Sequence, residues 1–306
     1  MSPVTTFAAL RTPAVLIERP RLDANIRRMQ AAADGAGIRL RPHAKTHKSP
    51  LVARRQIEAG AIGICCAKLG EAEVFAAAGI SDIRLPYPLQ PSNADRVLTL
   101  QRAARISFIV DDLAVARDWS QAMQAANARA EVLVKVDVGF HRCGITPDPA
   151  TAVPFLRDVA ALPGLHLAGI LSHAGHAYHA HSEEELRGMA ESERLAMATL
   201  AREAKPKIIV VGARGFAGVT GHGAVLRELT AAAGQVADPH LRVERLSEEH
   251  ATVHVTPGAR PLRPGDRVRV VPNHACVVSN LVDRAWLVDG PELVGALPID
   301  ARGRIA

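Results

Sequence analysis

Ile106-Ser107-Phe108-Ile109-Val110, the alanine-rich stretch 114–126, and Glu131-Val132-Leu133-Val134-Lys135-Val136 make one complete strand, helix and strand repeat. The same pattern extends in both directions. Strand-like runs fall at 38–40, 63–66, 82–85, 167–171 and 207–211, giving seven candidates in all. Stretches at helical spacing lie between them at 23–33, 51–59, 69–78, 152–162 and 183–203. Parallel strands need crossovers of this length, so the pattern predicts an α/β fold, a TIM-type (β/α) barrel, with a doubly wound sheet as the alternative. After about Gly221 the texture changes. Residues 222–237 read as a loop or short helix, and strand-like pieces at 241–246, 251–255, 266–271, 275–279 and 284–287 are then broken by Pro257-Gly258 and Pro264-Gly265. The expected division is a barrel over 19–215 and a β domain over 222–306 that also takes residues 1–18, since 14–17 reads as a strand.

Composition excludes several classes. In 306 residues, 48% are hydrophobic and 22% charged, the balance of a globular protein. No apolar run reaches the roughly 18 residues of a membrane span, and residues 1–20 do not resemble a secretory leader, so a cytoplasmic protein with no membrane partner is expected. Four cysteines, two of them adjacent at Cys65 and Cys66, suit reduced thiols or a metal ligand better than a disulfide framework. The net charge of +6 is spread singly, and only 3% of residues are aromatic, which argues against a nucleic-acid partner. Six lysines against 31 arginines make each lysine worth inspecting.

Reactive groups of such a barrel lie beyond the C-terminal ends of its strands. Arg41-Pro42-His43-Ala44-Lys45-Thr46-His47-Lys48 follows the first candidate strand and sets Lys45 between two histidines. A partly desolvated lysine with cationic neighbours can form a Schiff base with a carbonyl compound; a basic surface turn would read the same way. In Val136-Asp137-Val138-Gly139-Phe140-His141-Arg142-Cys143-Gly144 two glycines frame Arg142, which could hold an anionic oxygen or be a solvated loop arginine. Ser172-His173-Ala174-Gly175-His176-Ala177-Tyr178-His179 gathers three histidines and one of two tyrosines, suiting metal, acid–base work, stacking or a plain surface cluster. Pro272-Asn273-His274-Ala275-Cys276 would turn an imidazole and a thiolate to one face of an extended segment, where they could share a zinc ion and leave positions for water and substrate. A buried cysteine and a turn histidine explain the pair about as well.

These motifs, with Leu246-Ser247-Glu248-Glu249-His250 between the last two, resemble the D-serine dehydratase and D-threonine aldolase family over most of the chain and in the same order. The resemblance implies an alanine-racemase-like barrel carrying pyridoxal 5'-phosphate, a following β domain, and a homodimer. It implies that Lys45 forms the Schiff base with the cofactor and then takes the α-proton. Arg142 would touch the cofactor's phenolic oxygen, His173 and Tyr178 would line its pocket, and His274 and Cys276 would bind a divalent metal. Members of the aldolase branch typically carry aspartate where this chain has Cys276, so the thiolate favours zinc and a dehydratase-like site. The implied activity is a PLP-dependent lyase acting on a D-3-hydroxy amino acid, with loss of water and ammonia to give a 2-oxo acid. The alternatives are retro-aldol cleavage to glycine and an aldehyde, or a degenerate homologue without turnover.

The chain departs from that family near the last barrel strands. The hydroxyl residues expected to cradle the cofactor phosphate are absent, and residues 207–211 run into Gly212-Ala213-Arg214-Gly215-Phe216, where Gly212 and Gly215 could offer backbone N–H groups with Arg214 adding charge. An incomplete barrel, shortened in this region, is therefore expected.

Overall fold

The computed structural model describes residues 6–211, 224–226, 238–247, 250–259, 262–272 and 274–304. The chain divides into two compact units, one of residues 1–40, 44–61 and 217–303, the other of residues 41–43, 62–216 and 304–306. The sequence places the start of the barrel domain at residue 19, whereas the helices over Arg19–Gly35 and Pro50–Glu58 group with the first unit.

In that first unit β1 (Leu16–Glu18) precedes α1 (Arg19–Gly35) and α2 (Pro50–Glu58). In the second unit strands and helices alternate strictly: β2 (Ile64–Cys65), α3 (Leu69–Ala77), β3 (Asp82–Pro88), α4 (Ala94–Gln101), β4 (Arg105–Val110), α5 (Leu113–Ala125), β5 (Ala130–Val136), α6 (Pro149–Ala160), β6 (Leu165–Ser172), α7 (Glu183–Ala204) and β7 (Ile208–Val210). The strands lie in sequence order, β2-β3-β4-β5-β6-β7, and every pair is parallel. Helix starts are written locally. The Asp112 carboxylate accepts from Val115 N at 2.9 Å and Asp148 from Ala150 N at 3.0 Å, while the Ser182 hydroxyl accepts from Glu185 N at 3.1 Å ahead of three glutamates that suit the helix dipole.

Strand alternation gives the sheet two different faces. Val132, Val134 and Val136 share one face of β5; Glu131, Leu133 and Lys135 share the other. In the helix-covered core Phe108 stacks on Trp119 with ring centroids 4.6 Å apart, and the indole N–H donates to Leu89 O at 2.9 Å. On the opposite face Cys65, Arg84, Ser107, Glu131 and His166 follow one register row across five strands. Arg84 Nε donates to Ser107 Oγ at 2.9 Å, and Arg105 closes on Glu131 at 2.7 Å. One layer toward the C-terminal strand ends, Ile109, Leu133, Ala168 and Leu171 pack into an apolar cluster.

The remaining described elements belong to the first unit. They are β8 (Ala224–Leu226), β9 (Leu241–Ser247), β10 (His250–Val255), β11 (Arg269–Val271), α8 (Ala275–Leu281), β12 (Arg284–Asp289) and β13 (Glu292–Pro298). A four-stranded sheet runs β10-β9-β8-β11, and β1 joins β12 and β13, so the two chain ends share a sheet as the early strand candidate suggested.

Two strand expectations fail for physical reasons. Residues 38–40 form no strand: Arg41 is drawn into a bidentate pair with Asp82 at 2.8 and 3.0 Å, and only Pro42 O, accepting from Cys65 N at 2.7 Å, and a bridge from His43 to Cys65 touch the sheet. Residues 275–279 are the helix α8 rather than a strand. A short apolar run does not distinguish the two by periodicity, and here Ser279 Oγ bonds back to Ala275 O at 3.1 Å. Three elements lie outside the expected set: α4, β13 and β8, the last inside the stretch 222–237 that reads as a loop or short helix.

A Cβ at Gly169 would lie 2.0 Å from the carbonyl oxygen of Ile208, backbone against backbone in the β6–β7 ladder. Gly169→Ala is expected to cost about 1–3 kcal/mol or more. Urea unfolding would show a lower midpoint at unchanged slope; an unaltered midpoint would contradict this packing of β7.

Candidate active site

The turn after β5 is built around one carboxylate. Asp137 Oδ1 accepts from the N–H groups of Gly139, Phe140 and His141 at 3.0, 3.0 and 3.1 Å, and Oδ2 lies 3.2 Å from His141 Nδ1. Burial works to raise the Asp137 pKa, but the N–H groups of His141, Gly139 and Phe140 outweigh it and hold the carboxyl below its usual value. The chain needs Gly139 at φ +114° and Gly144 at φ +119° to close this turn, and Gly144 N donates to Asp111 Oδ2 at 2.8 Å. The two glycines that frame the arginine are therefore there for the turn itself.

Arg142 is presented outward from that turn, its guanidinium carbon 5.0 Å from the Phe140 ring centroid and 5.8 Å from that of Tyr87. His173 meets Phe140 edge-on with centroids 6.1 Å apart. A side chain at Gly175 would strike the Phe140 ring at 2.4 Å, so the next turn, Gly175–His179, seats its glycine against that ring. Lys135, Val136, Asp137, Phe140, Arg142, Cys143 and His173 line one pocket. Arg142 and His173 thus lie on either side of Phe140 and line the same pocket. Tyr178 lies in the same short turn as Gly175, and Gly212 lies outside the described residues.

Lys45 stands in the first unit, half-buried on the 3-10 turn Ala44–Thr46. Lys48 follows at φ +50° and is buried, with Lys48 N donating to Ala44 O at 2.7 Å and Lys48 O accepting from Ala301 N at 3.0 Å. His47 is no cationic neighbour at neutral pH, contrary to the expectation for this motif. Burial pushes its pKa down to about 4, against weaker opposing bonds from Gln56 and Ser49.

Helix α8 is fastened to the Lys45 turn. Ser279 Oγ donates to Thr46 O at 2.5 Å, and Cys276 Sγ donates to Thr46 Oγ1 at 3.5 Å. His274 occupies the N-cap of this helix and is exposed, so the pair's side chains do not follow strand alternation as expected. Among the described residues no group of three or more histidine, cysteine or acidic side chains forms a metal cluster.

Sequence reasoning missed Lys135, Tyr87, Phe140 and Asp111. The signal for Lys135 was present: a lysine at an inward position of the apolar strand Val132-Leu133-Val134-Lys135-Val136. Its Nζ is buried and has no hydrogen-bond partner among the described residues, and burial lowers its pKa to about 8, with Cys143 opposing and Arg142 adding to the shift. The folded-state pKa therefore lies below the ordinary 10.5. Below pH ~8 both states are protonated and the burial penalty is fully present; between about 8 and 10.5 the unfolded chain binds more protons, so stability rises with pH. Lys135→Met is expected to be more stable than the parent at pH ~7 by an amount on the order of 1–3 kcal/mol, the gain shrinking toward pH ~10. Urea denaturation at the two pH values checks this, and a variant no more stable at neutral pH would refute the desolvated amine.

The chain matches the family model for the alanine racemase N-terminal domain over residues 17–237 and that for a putative serine dehydratase domain over residues 195–288. A D-threonine aldolase of Arthrobacter sp is 32% identical over 361 aligned positions, covering 98% of this chain and 95% of the relative. Because 361 positions exceed the 306 residues of the chain, the relative carries residues inside the match that this chain lacks. A D-threo-3-hydroxyaspartate dehydratase of Delftia sp. (strain HT23) is 37% identical over 190 residues, 62% of this chain and 50% of that protein. The crystal structure of D-threonine aldolase from Filomicrobium marinum superposes with a TM-score of 0.83 at 26% identity, covering 99% of both chains. The Delftia dehydratase superposes at 0.84 and 24% identity, covering 96% of this chain and 98% of that one, which supports the fold. Two further solved structures of a D-threo-3-hydroxyaspartate dehydratase have a cysteine or a histidine, two positions apart, changed to alanine, the cysteine variant in a metal-free form. Matched by the alanine racemase model across its barrel and by a D-threonine aldolase over 98% of its length, the chain belongs to the D-serine dehydratase and D-threonine aldolase family of alanine-racemase-like folds.

Proposed function

We propose that this chain is a pyridoxal-phosphate-dependent lyase of D-3-hydroxy amino acids, with elimination of water and ammonia as the leading reaction. The observation that carries the reading is the attachment of α8 to the Lys45 turn through Thr46, which puts a thiol and a candidate reactive amine on one fixed piece of structure. The groups at the Arg142 turn suit an anionic cofactor by their charge: Lys135 Nζ is buried without a hydrogen-bond partner among the described residues, and a guanidinium and an imidazole line the same pocket. Lys45 would hold the cofactor, and Arg142 and His173 would bind and orient it. When bound, the cofactor supplies an electron sink for the bond that breaks at Cα.

Lys45 Nζ would take the substrate's α-proton, with its backbone held by the turn that α8 braces through Thr46. The exposed guanidinium of Arg142 lies against the rings of Phe140 and Tyr87, which would hold its direction. His274 and Cys276 would hold a divalent metal, probed first as zinc since the donors are an imidazole and a thiolate. Their spacing equals that of the histidine and cysteine replaced in the D-threo-3-hydroxyaspartate dehydratase variants. A metal ion bound there would act as a Lewis acid on a substrate oxygen.

Retro-aldol cleavage is the second reading, favoured by the aldolase of Arthrobacter sp that spans 98% of this chain. In that reaction a base removes the 3-hydroxyl proton and the Cα–Cβ bond breaks to release glycine and an aldehyde.

The test is reduction with borohydride after mixing the protein with pyridoxal phosphate, followed by peptide mapping. A label on Lys45, absent in Lys45→Ala, is the expected result. Assays with D-serine and D-threonine, with and without added zinc, then separate a 2-oxo acid from glycine. A folded protein that takes no label, or takes it elsewhere, would sink the reading.

A further inference from the structure

The turn that carries Arg142 doubles back onto the strand it leaves. Ile145 N donates to Lys135 O at 2.9 Å, Asp137 N donates to Ile145 O at 2.8 Å, and Val136 and Ile145 form a parallel bridge. The return lays Cys143 and Gly144 along β5. A Cβ at Gly144 would lie 3.1 Å from Lys135 Cγ, and Cys143 packs on the apolar cluster that holds Leu133, two residues before Lys135 on the same face. Lys135 and Cys143 line the same pocket, whose interior has no room for a water-sized guest. Lys135 is 3% exposed, and its Nζ has no hydrogen-bond partner among the described residues. The other groups around the amine are already engaged or carry the wrong sign. Asp137 accepts from three backbone N–H groups, Glu193 accepts from Ser172 Oγ at 2.7 Å, His173 meets Phe140 edge-on, and Arg142 is a second cation. Among the ionisable groups whose fields reach the amine, Cys143 acts most strongly, and this thiol is in no disulfide and is half-buried, open to a small reagent from solvent. Burial brings the amine's pKa to about 8, so just above neutral pH a large share of it is the neutral nucleophile.

We propose that Cys143 and Lys135 form an oxidative modification site, at which a peroxide joins the two side chains through a sulfur–nitrogen bond. The inference stands apart from the lyase reading, since it needs no cofactor. In the first step the Cys143 sulfur attacks hydrogen peroxide, the O–O bond breaks, and a sulfenic acid and one water result; sulfur loses two electrons and the peroxide gains them. In the second step the Lys135 nitrogen attacks that sulfur, the S–O bond breaks, and the departing hydroxide takes a proton from nitrogen to leave as water. Because the amine is desolvated and already beside the thiol, this step needs no search for a partner. A small thiol reverses the link: one molecule displaces the amine and forms a mixed disulfide with Cys143, and a second releases the cysteine. Closing the bond removes the buried amine and ties the residue after Arg142 to β5.

The experiment treats the full chain with hydrogen peroxide, digests it with trypsin, and weighs the peptides with and without prior reduction by dithiothreitol. The expected product holds residues 130–142 and 143–157 as one species, two hydrogens lighter than the sum of the two peptides. Cleavage after Lys135 is lost with the link and regained on reduction. In Lys135→Met, Cys143 should stop at the sulfenic acid, and its capture by dimedone should rise several-fold over the parent. In Cys143→Ser, cleavage after Lys135 should survive peroxide. The proposal is overturned if the treated parent is still cut after Lys135 and Cys143 is recovered unmodified, as a sulfinic or sulfonic acid, or in a disulfide with another cysteine. A link that forms equally well when the chain is held unfolded in urea also overturns it, because the folded pocket would then contribute nothing.

Discussion

In an all-parallel sheet every strand ends on the same side, and each connection must begin there before its helix returns. That constraint assembles the candidate site. Tyr87 lies near the end of β3, Asp111 follows β4, the Asp137 to Gly144 turn follows β5 and His173 follows β6. Because the strands pair in sequence order, each of these residues is also beside its neighbour in space. The ladder has to be continuous for this to work, which is why a residue as small as Gly169 matters where β6 meets β7.

The inward face of the same sheet is layered by charge. Arg84 and Ser107 join Glu131 in a bonded polar row, and Ile109, Leu133 and Leu171 form an apolar layer next to it. Lys135 stands beyond that layer on the same face of β5 as Glu131, with Leu133 between them in sequence. The apolar layer separates the amine from that carboxylate row, and Lys135 Nζ is buried with no hydrogen-bond partner among the described residues. At the mouth the economy is similar, since Asp137 and Asp111 turn their carboxylates onto backbone N–H groups. They shape the turn that displays Arg142, whose guanidinium meets the Phe140 and Tyr87 rings.

Much of the barrel was legible because its signal is local and repeated. β-Branched runs separated by alanine-rich stretches appear as β3 to β7 with α5, α6 and α7 between later strands, within a few residues of expectation. What stayed hidden depended on partners far away in sequence. Residues 38–40 look like a strand until Arg41 is seen to bind Asp82, and residues 275–279 look like one until their side chains are seen to bond Thr46, more than 200 residues earlier. Arg142 and His173 could be found from glycine and histidine spacing. The rings that hold them, Phe140 and Tyr87, belong to ordinary-looking positions whose role exists only once the strand ends are side by side.

The lysine turn shows how a short segment can be fixed without regular structure. Ala44 is fully buried, the left-handed Lys48 folds its N–H back onto Ala44 O, and the carbonyls of Thr46 and Lys48 are taken by Ser279 and by the Ala301 N–H. His47 contributes as a neutral ring, because burial keeps it unprotonated until about pH 4. Two carbonyls of the turn are therefore anchored to segments that lie much later in the chain, and the Lys45 side chain is left half-exposed. A reactive amine held in this way loses little further backbone entropy when it captures an aldehyde, so the binding energy of the rest of the ligand remains available for orientation. The late helix α8 meets this turn twice: its serine donates to the Thr46 carbonyl, and its thiol donates to the hydroxyl of the same residue, the one after the lysine.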